Sequence, residues 1–220
     1  MKLTFEEPDN GIRILSVKIL WNDDNMTPVS LTKSLLSNEW SVELKDLVPG
    51  KYEYRFLINE EFTLNNPKAN MYSPDKVQML WSLLVIDKDG TQLFSNEQNR
   101  VHIEAIHMND DYYDDVRDYQ AEFSTDISKQ VVIRYTFTRV KGAHTVNVLW
   151  ISPDNKVSEW SESILIKSET IWFGLNFSSL ANISSGMWSA HLFIDGEYIL
   201  KNDFNIKYVP SAPHSLNMSV

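Results

Sequence analysis

One pattern is written twice in this chain, and it constrains the fold more than any other feature. Gly50-Lys51-Tyr52-Glu53-Tyr54-Arg55-Phe56-Leu57-Ile58 leads through Asn59-Glu60-Glu61 to Phe62, and Gly186-Met187-Trp188-Ser189-Ala190-His191-Leu192-Phe193-Ile194 leads through Asp195-Gly196-Glu197 to Tyr198. In each, a glycine opens an alternation of large apolar and other residues, a short turn follows, and an aromatic starts the return. Tyr52, Phe56 and Ile58 align with Trp188, Leu192 and Ile194 without a gap. A period of two interrupted by a short polar turn specifies a β-hairpin. The matches continue upstream: Val17-Lys18-Ile19-Leu20-Trp21 is echoed about 130 residues later by Val146-Asn147-Val148-Leu149-Trp150, and Asp24-Asn25 by Asp154-Asn155. Trp40 precedes Gly50 much as Trp172 precedes Gly186. Landmarks in one order at one spacing indicate two related domains.

Other strands follow from the same alternation: Arg13–Trp21, with Leu15, Val17, Ile19 and Trp21 on one face, then Trp40–Leu44, Met79–Ile86, Val131–Arg139, Ile171–Phe177 and Phe204–Tyr208. No segment sustains a 3.6-residue apolar period. Short strands divided by turn signals imply an all-β chain of two tandem β-sandwiches. The expected layout is a sandwich over 12–94, a partly ordered connection over 95–118, a second sandwich over 119–208 and a loose tail over 209–220. Residues 1–11 read as a polar lead-in.

Composition narrows the partners. With 220 residues, 43% hydrophobic and 12% aromatic, the chain can fill two cores. It has no cysteine, so neither disulfides nor thiolate chemistry are available. Acids outnumber bases by 30 to 20, for a formal charge of −10, which opposes nucleic acid and anionic membranes as partners. The start Met1-Lys2-Leu3-Thr4-Phe5 lacks the apolar run of a signal peptide, so a cytoplasmic location is expected.

With these features in view, the first half resembles the glycogen-binding and isoamylase N-terminal modules (carbohydrate-binding family 48), which are early-set immunoglobulin-like sandwiches. The carriers are Trp21-Asn22-Asp23-Asp24-Asn25, Leu47-Val48-Pro49-Gly50-Lys51-Tyr52-Glu53-Tyr54-Arg55-Phe56-Leu57-Ile58-Asn59, and Asn66-Pro67. The second half resembles a more distant immunoglobulin-like relative. The resemblance implies an α-glucan site in which two tryptophans stack on sugar faces while a lysine and an asparagine bond hydroxyls. By position, Met26 or Asn25 replaces the first tryptophan, Phe62 the second, Arg55 the lysine and Ser82, beside Trp81, the asparagine. Phe62 and Arg55 keep the family's chemistry, whereas Met26 removes part of the flat aromatic platform.

No catalytic constellation is expected. His102-Ile103-Glu104 lacks the cysteines of a zinc deaminase, and neither His-Glu-x-x-His nor Gly-x-Ser-x-Gly occurs. The acidic run Asp110–Asp118 lacks the spaced aspartates of a calcium loop and reads as a solvated connection. No cofactor or metal is implied. Tryptophans on alternating strands (Trp21, Trp40, Trp150, Trp172, Trp188) are expected in cores, while Trp160, in a polar surround, is the interface candidate. The expectation is a non-catalytic module that binds a protein partner or itself, with α-glucan binding through the first domain as the alternative.

Overall fold

In the computed structural model, residues 1–45, 47–69, 71–89, 101–112 and 119–210 are described. They contain seventeen strands and no helix. The chain is all-β, two immunoglobulin-like sandwiches in tandem.

The first sandwich holds β1 (Lys2–Glu6), β2 (Val17–Trp21), β3 (Val29–Ser30), β4 (Thr32–Lys33), β5 (Glu39–Glu43), β6 (Gly50–Ile58), β7 (Phe62–Leu64), β8 (Met71–Pro74) and β9 (Leu80–Ile86). One sheet runs β1-β5-β4, the other β3-β2-β6-β9-β8, with β7 folded back on β6. The second sandwich holds β10 (His102–Asn109), β11 (Glu122–Ser124), β12 (Gln130–Thr138), β13 (His144–Ile151), β14 (Val157–Leu165), β15 (Glu169–Asn176), β16 (Gly186–Ile194) and β17 (Glu197–Lys207). Its sheets run β10-β12-β15 and β11-β17-β16-β13-β14. Strand pairs are antiparallel except β11 with β17.

Both hairpins form where the sequence places them, β6–β7 and β16–β17. The repeat extends to register. Val17 pairs with Ile58, Ile19 with Phe56 and Trp21 with Tyr54; Val146 pairs with Ile194, Val148 with Leu192 and Trp150 with Ala190. Each second-half pair is the aligned counterpart of a first-half pair. A slip of one residue would turn every core side chain to the opposite face, so a shared register is a stringent likeness. Trp21 and Trp150 are both buried, and in both the indole N–H has no partner among the described residues.

Several expectations need correction. Residues 2–6 are a strand rather than a lead-in: Leu3 and Phe5 are buried, and the strand pairs with β5. Within the expected connection over 95–118, residues 102–109 form a full strand of the second sandwich, antiparallel to β12 with a register shift between Ile103 and Ala105. The strand expected from Arg13 starts only at Val17, and Leu15 is 66% exposed while Ile14 is buried. Asn59, in the β6–β7 turn at φ 54°, is the reason. Its side-chain oxygen accepts from the Leu15 and Ser16 amides, at 2.7 and 3.3 Å, and its amide donates to the Arg13 carbonyl at 3.0 Å. These bonds take the place of ladder bonds. Trp172 is also not in the core, and lies 53% exposed. Expectations for Gly90–Asn99, for residues 113–118 of the acidic run and for the tail from 211 fall outside the described residues.

The two sandwiches share apolar packing. Every residue of β13 is buried, because both of its faces are covered. Val146, Val148 and Trp150 enter the second core, whereas Leu149 and Ile151, with Phe193 from β16, join the cluster of Phe5, Ile58, Phe62 and Leu64.

Candidate functional site

The most elaborate polar arrangement among the described residues lies in the seam between the sandwiches. It begins at Arg55. Since Tyr54, Phe56 and Ile58 point into the first core, Arg55 emerges on the opposite face of β6, toward the second sandwich. Only 1% of it is exposed. Its guanidinium grips Glu162 of β14 in bidentate fashion, Nη1 to Oε2 at 3.0 Å and Nη2 to Oε1 at 2.9 Å. Nε donates to the Leu80 carbonyl at 3.0 Å, Nη2 donates to the same oxygen, and Nη1 reaches Thr63 Oγ1 at 3.4 Å. The guanidinium carbon stands 5.1 Å from the centre of the half-buried Trp81 ring, whose Nε1 donates to Asp75 at 3.0 Å. Asn147 Nδ2 donates to Glu162 Oε2 at 2.9 Å. A planar fork fits a carboxylate in this way, and a desolvated pair needs such additional bonds to offset its desolvation.

From the Leu80 carbonyl the network runs on. Asn65 Nδ2 donates to that carbonyl at 3.1 Å and to Thr145 Oγ1, in the other sandwich, at 3.2 Å. Asn65 Oδ1 accepts from the Ser82 amide and hydroxyl, at 2.9 and 3.0 Å, and Ser82 Oγ accepts from the Asn66 amide at 2.8 Å. Asn66 Nδ2 donates to the Tyr54 hydroxyl at 2.8 Å. Burial pushes the Tyr54 phenol up to about 12, although the Asn66 bond pulls the other way. On the far side, Asp195 in the β16–β17 turn accepts from the Thr145 amide at 2.9 Å and stands 2.7 Å from His144 Nδ1. Gly196, at φ +87°, completes that turn and lies against the Asn65 backbone.

The positions singled out in sequence are distributed as follows. Arg55 and Trp81 do meet, and Ser82 belongs to the same network, but Arg55 and Ser82 are both closed to solvent. Phe62 is 2% exposed and packs into the first cluster, against which the half-buried Met26 also rests. Trp160 is half-buried on that cluster too, across from Leu149 on β13, so it packs within the chain. These side chains therefore do not form one open surface. Sequence reasoning missed Glu162, Asn65, Thr145, His144 and Asp195. A legible signal was β13, which carries Val146, Val148 and Trp150 on one face and Leu149 and Ile151 on the other; a strand with apolar residues on both faces is covered on both sides.

A second feature is open. On the outer face of the β10-β12-β15 sheet, Trp172 sits across from Arg134, and the Thr136 and Thr170 hydroxyls meet at 2.9 Å. Arg134 Nη2 donates to the Asp111 carbonyl at 2.8 Å, and Tyr112 lies over Gly174, where a side chain would collide with it.

No family model matches the chain, and no curated protein matches it. Among solved structures it is similar to an immunoglobulin-like protein from Pseudomonas aeruginosa at 12% identity and a TM-score of 0.37, covering 49% of this chain and 97% of that one. It is also similar to a tetra-tandem repeat in the extending region of a large adhesion protein at 11% identity and a TM-score of 0.32, covering 90% of this chain and 68% of that one.

Proposed function

We propose that this chain is a non-catalytic binding protein in which two interlocked sandwiches present a protein-binding face, to a different protein or to a second copy. Two of its buried ionisable pairs are engaged internally, Arg55 with Glu162 and His144 with Asp195. The observation that carries the reading is Trp172, which stands 53% exposed beside Arg134 on the outer face of the β10-β12-β15 sheet. Tryptophan and arginine are the residue types that most often dominate binding energy at protein interfaces. Light scattering over a dilution series, with wild type and Trp172→Ser, tests it. A concentration-dependent rise in mass that the substitution removes supports self-association. A strictly monomeric protein that also yields no Trp172-dependent cross-link to any partner contradicts the reading.

The α-glucan alternative relied on Met26, Arg55, Phe62, Trp81 and Ser82; the fold encloses Arg55, Phe62 and Ser82 and leaves Met26 and Trp81 half-buried. A sugar would need another face, so millimolar maltoheptaose is expected to leave the tryptophan fluorescence unchanged. A saturable change would revive the alternative.

A further inference from the structure

His144 occupies an unusual place in the seam. Its side chain is 1% exposed, and both ring nitrogens face groups that only accept: the Asp195 carboxylate at Nδ1, 2.7 Å away, and the Lys141 carbonyl at Nε2, 2.9 Å away. A neutral imidazole has one N–H and satisfies one of these; only the imidazolium donates to both. Asp195 is also the residue that holds the turn in place. Its Oδ1 accepts from the Thr145 amide, its own amide donates to the Thr145 carbonyl at 2.9 Å, and Thr145 Oγ1 accepts from Asn65 of the other sandwich.

We infer that His144 is a protonated pin in the joint between the sandwiches, and that losing its proton loosens the docking of the Asp195–Gly196 turn onto Asn65. In the neutral ring, one nitrogen lone pair is pressed against an oxygen, and the Asp195 carboxylate, 15% exposed, loses its countercharge. Both effects are large at a site with little water. The groups around the pin do not substitute for it. Lys141 contributes a backbone carbonyl, and Leu165, the cross-strand neighbour on β14, is apolar. Tyr72, which feels the charges of Asp195 and Glu197, stays neutral because burial, then Asp195, Tyr54 and Glu197, push its phenol far up.

Burial alone would pull the imidazole down. The Asp195 hydrogen bond and charge, with the Lys141 carbonyl, outweigh it and hold His144 above its ordinary value of 6.5. The sign follows: the contribution is whole below about 6.5 and is lost as pH rises through the higher folded value. This device is independent of what the protein binds.

The test uses the full chain: proton NMR titration of the histidine rings, assigned with His144→Gln, alongside amide hydrogen exchange corrected for the intrinsic pH effect. His144 is expected to titrate above 6.5. Protection of the Thr145 and Asp195 amides should fall severalfold across that titration, with Asn65 and Asn66 falling in step. Asp195→Asn, which keeps the shape of the side chain, should move the His144 titration down and remove the pH step in protection. Titration of His144 at or below 6.5, or a titration across which protection stays flat, would overturn the inference.

Discussion

Gly196, at the tip of the second hairpin, rests on the backbone of Asn65 in the other sandwich: a Cβ at Gly196 would stand 1.8 Å from the Asn65 carbonyl oxygen and 2.7 Å from its carbon. The contact is backbone against backbone and has little room to yield. The hairpin that identifies the second repeat in sequence is thus also a docking element, and its Asp195-Gly196 turn supplies both the carboxylate that meets His144 and the absence of a side chain that lets the sandwiches close.

Replacement of Gly196 by alanine tests that contact. The residue also sits at φ +87°, so the substitution carries backbone strain as well as the clash. Gly11 is the control, at φ +78° with nothing within 4 Å of its Cβ position. Gly11→Ala is expected to cost about 1 kcal/mol, the left-handed penalty alone. Gly196→Ala should cost at least about 2 kcal/mol more, as a defined steric conflict in a packed contact does. Urea midpoints of the two variants measure the difference.

Two tryptophans should respond in opposite ways. Trp150 is 0% exposed in the second core, and Trp150→Ala is expected to lose about 3–5 kcal/mol. Trp172→Ser should change stability by no more than about 0.5 kcal/mol, because the ring is open to water. Equilibrium denaturation resolves the two, and a large loss at Trp172 would mean the ring packs against the chain.

Acid should weaken the fold through His191. This ring is buried, shares a hydrogen bond of 2.9 Å with the Ser189 hydroxyl, and is held down to about 4, first by burial, then by Lys201, with Asp203 opposing. A depressed histidine contributes stability that is present above about 6.5 and lost as pH falls toward 4, here on the order of 3 kcal/mol. Denaturation measured between pH 7 and 5 should show about 2 kcal/mol of that decline, and His191→Gln should flatten it. An unchanged slope in the variant would exclude His191 as its source. His144 has the opposite sign, so the two histidines are expected to destabilise the fold at opposite ends of the pH range.

What was legible in the chain was local. The alternation of Tyr52, Tyr54, Phe56 and Ile58 specified β6, and the match of Val17–Trp21 to Val146–Trp150 anticipated a register that both sandwiches share. Phase also carried information that composition hid: Ile171, Phe173, Leu175 and Phe177 are buried at every second position, which leaves Trp172 outside. The seam was not legible, because its partners are far apart in sequence. Arg55 and Glu162 are separated by 107 residues, and no local pattern marks an arginine that will be desolvated rather than exposed. Leu15 failed for a related reason, since the Asn59 side chain, 44 residues away, takes the amide that a strand would have used.

A buried polar seam binds the two sandwiches into one unit, and a double-mutant cycle on Arg55 and Glu162 reads out that coupling. Arg55→Met and Glu162→Leu, each alone, leave one buried partner uncompensated and are expected to lose about 3–5 kcal/mol in a single cooperative transition. The double variant should recover much of that loss, giving a coupling of about 2 kcal/mol or more. Additive losses to within about 0.5 kcal/mol, or two separate unfolding transitions in the unmodified chain, would show that the seam does not couple the sandwiches.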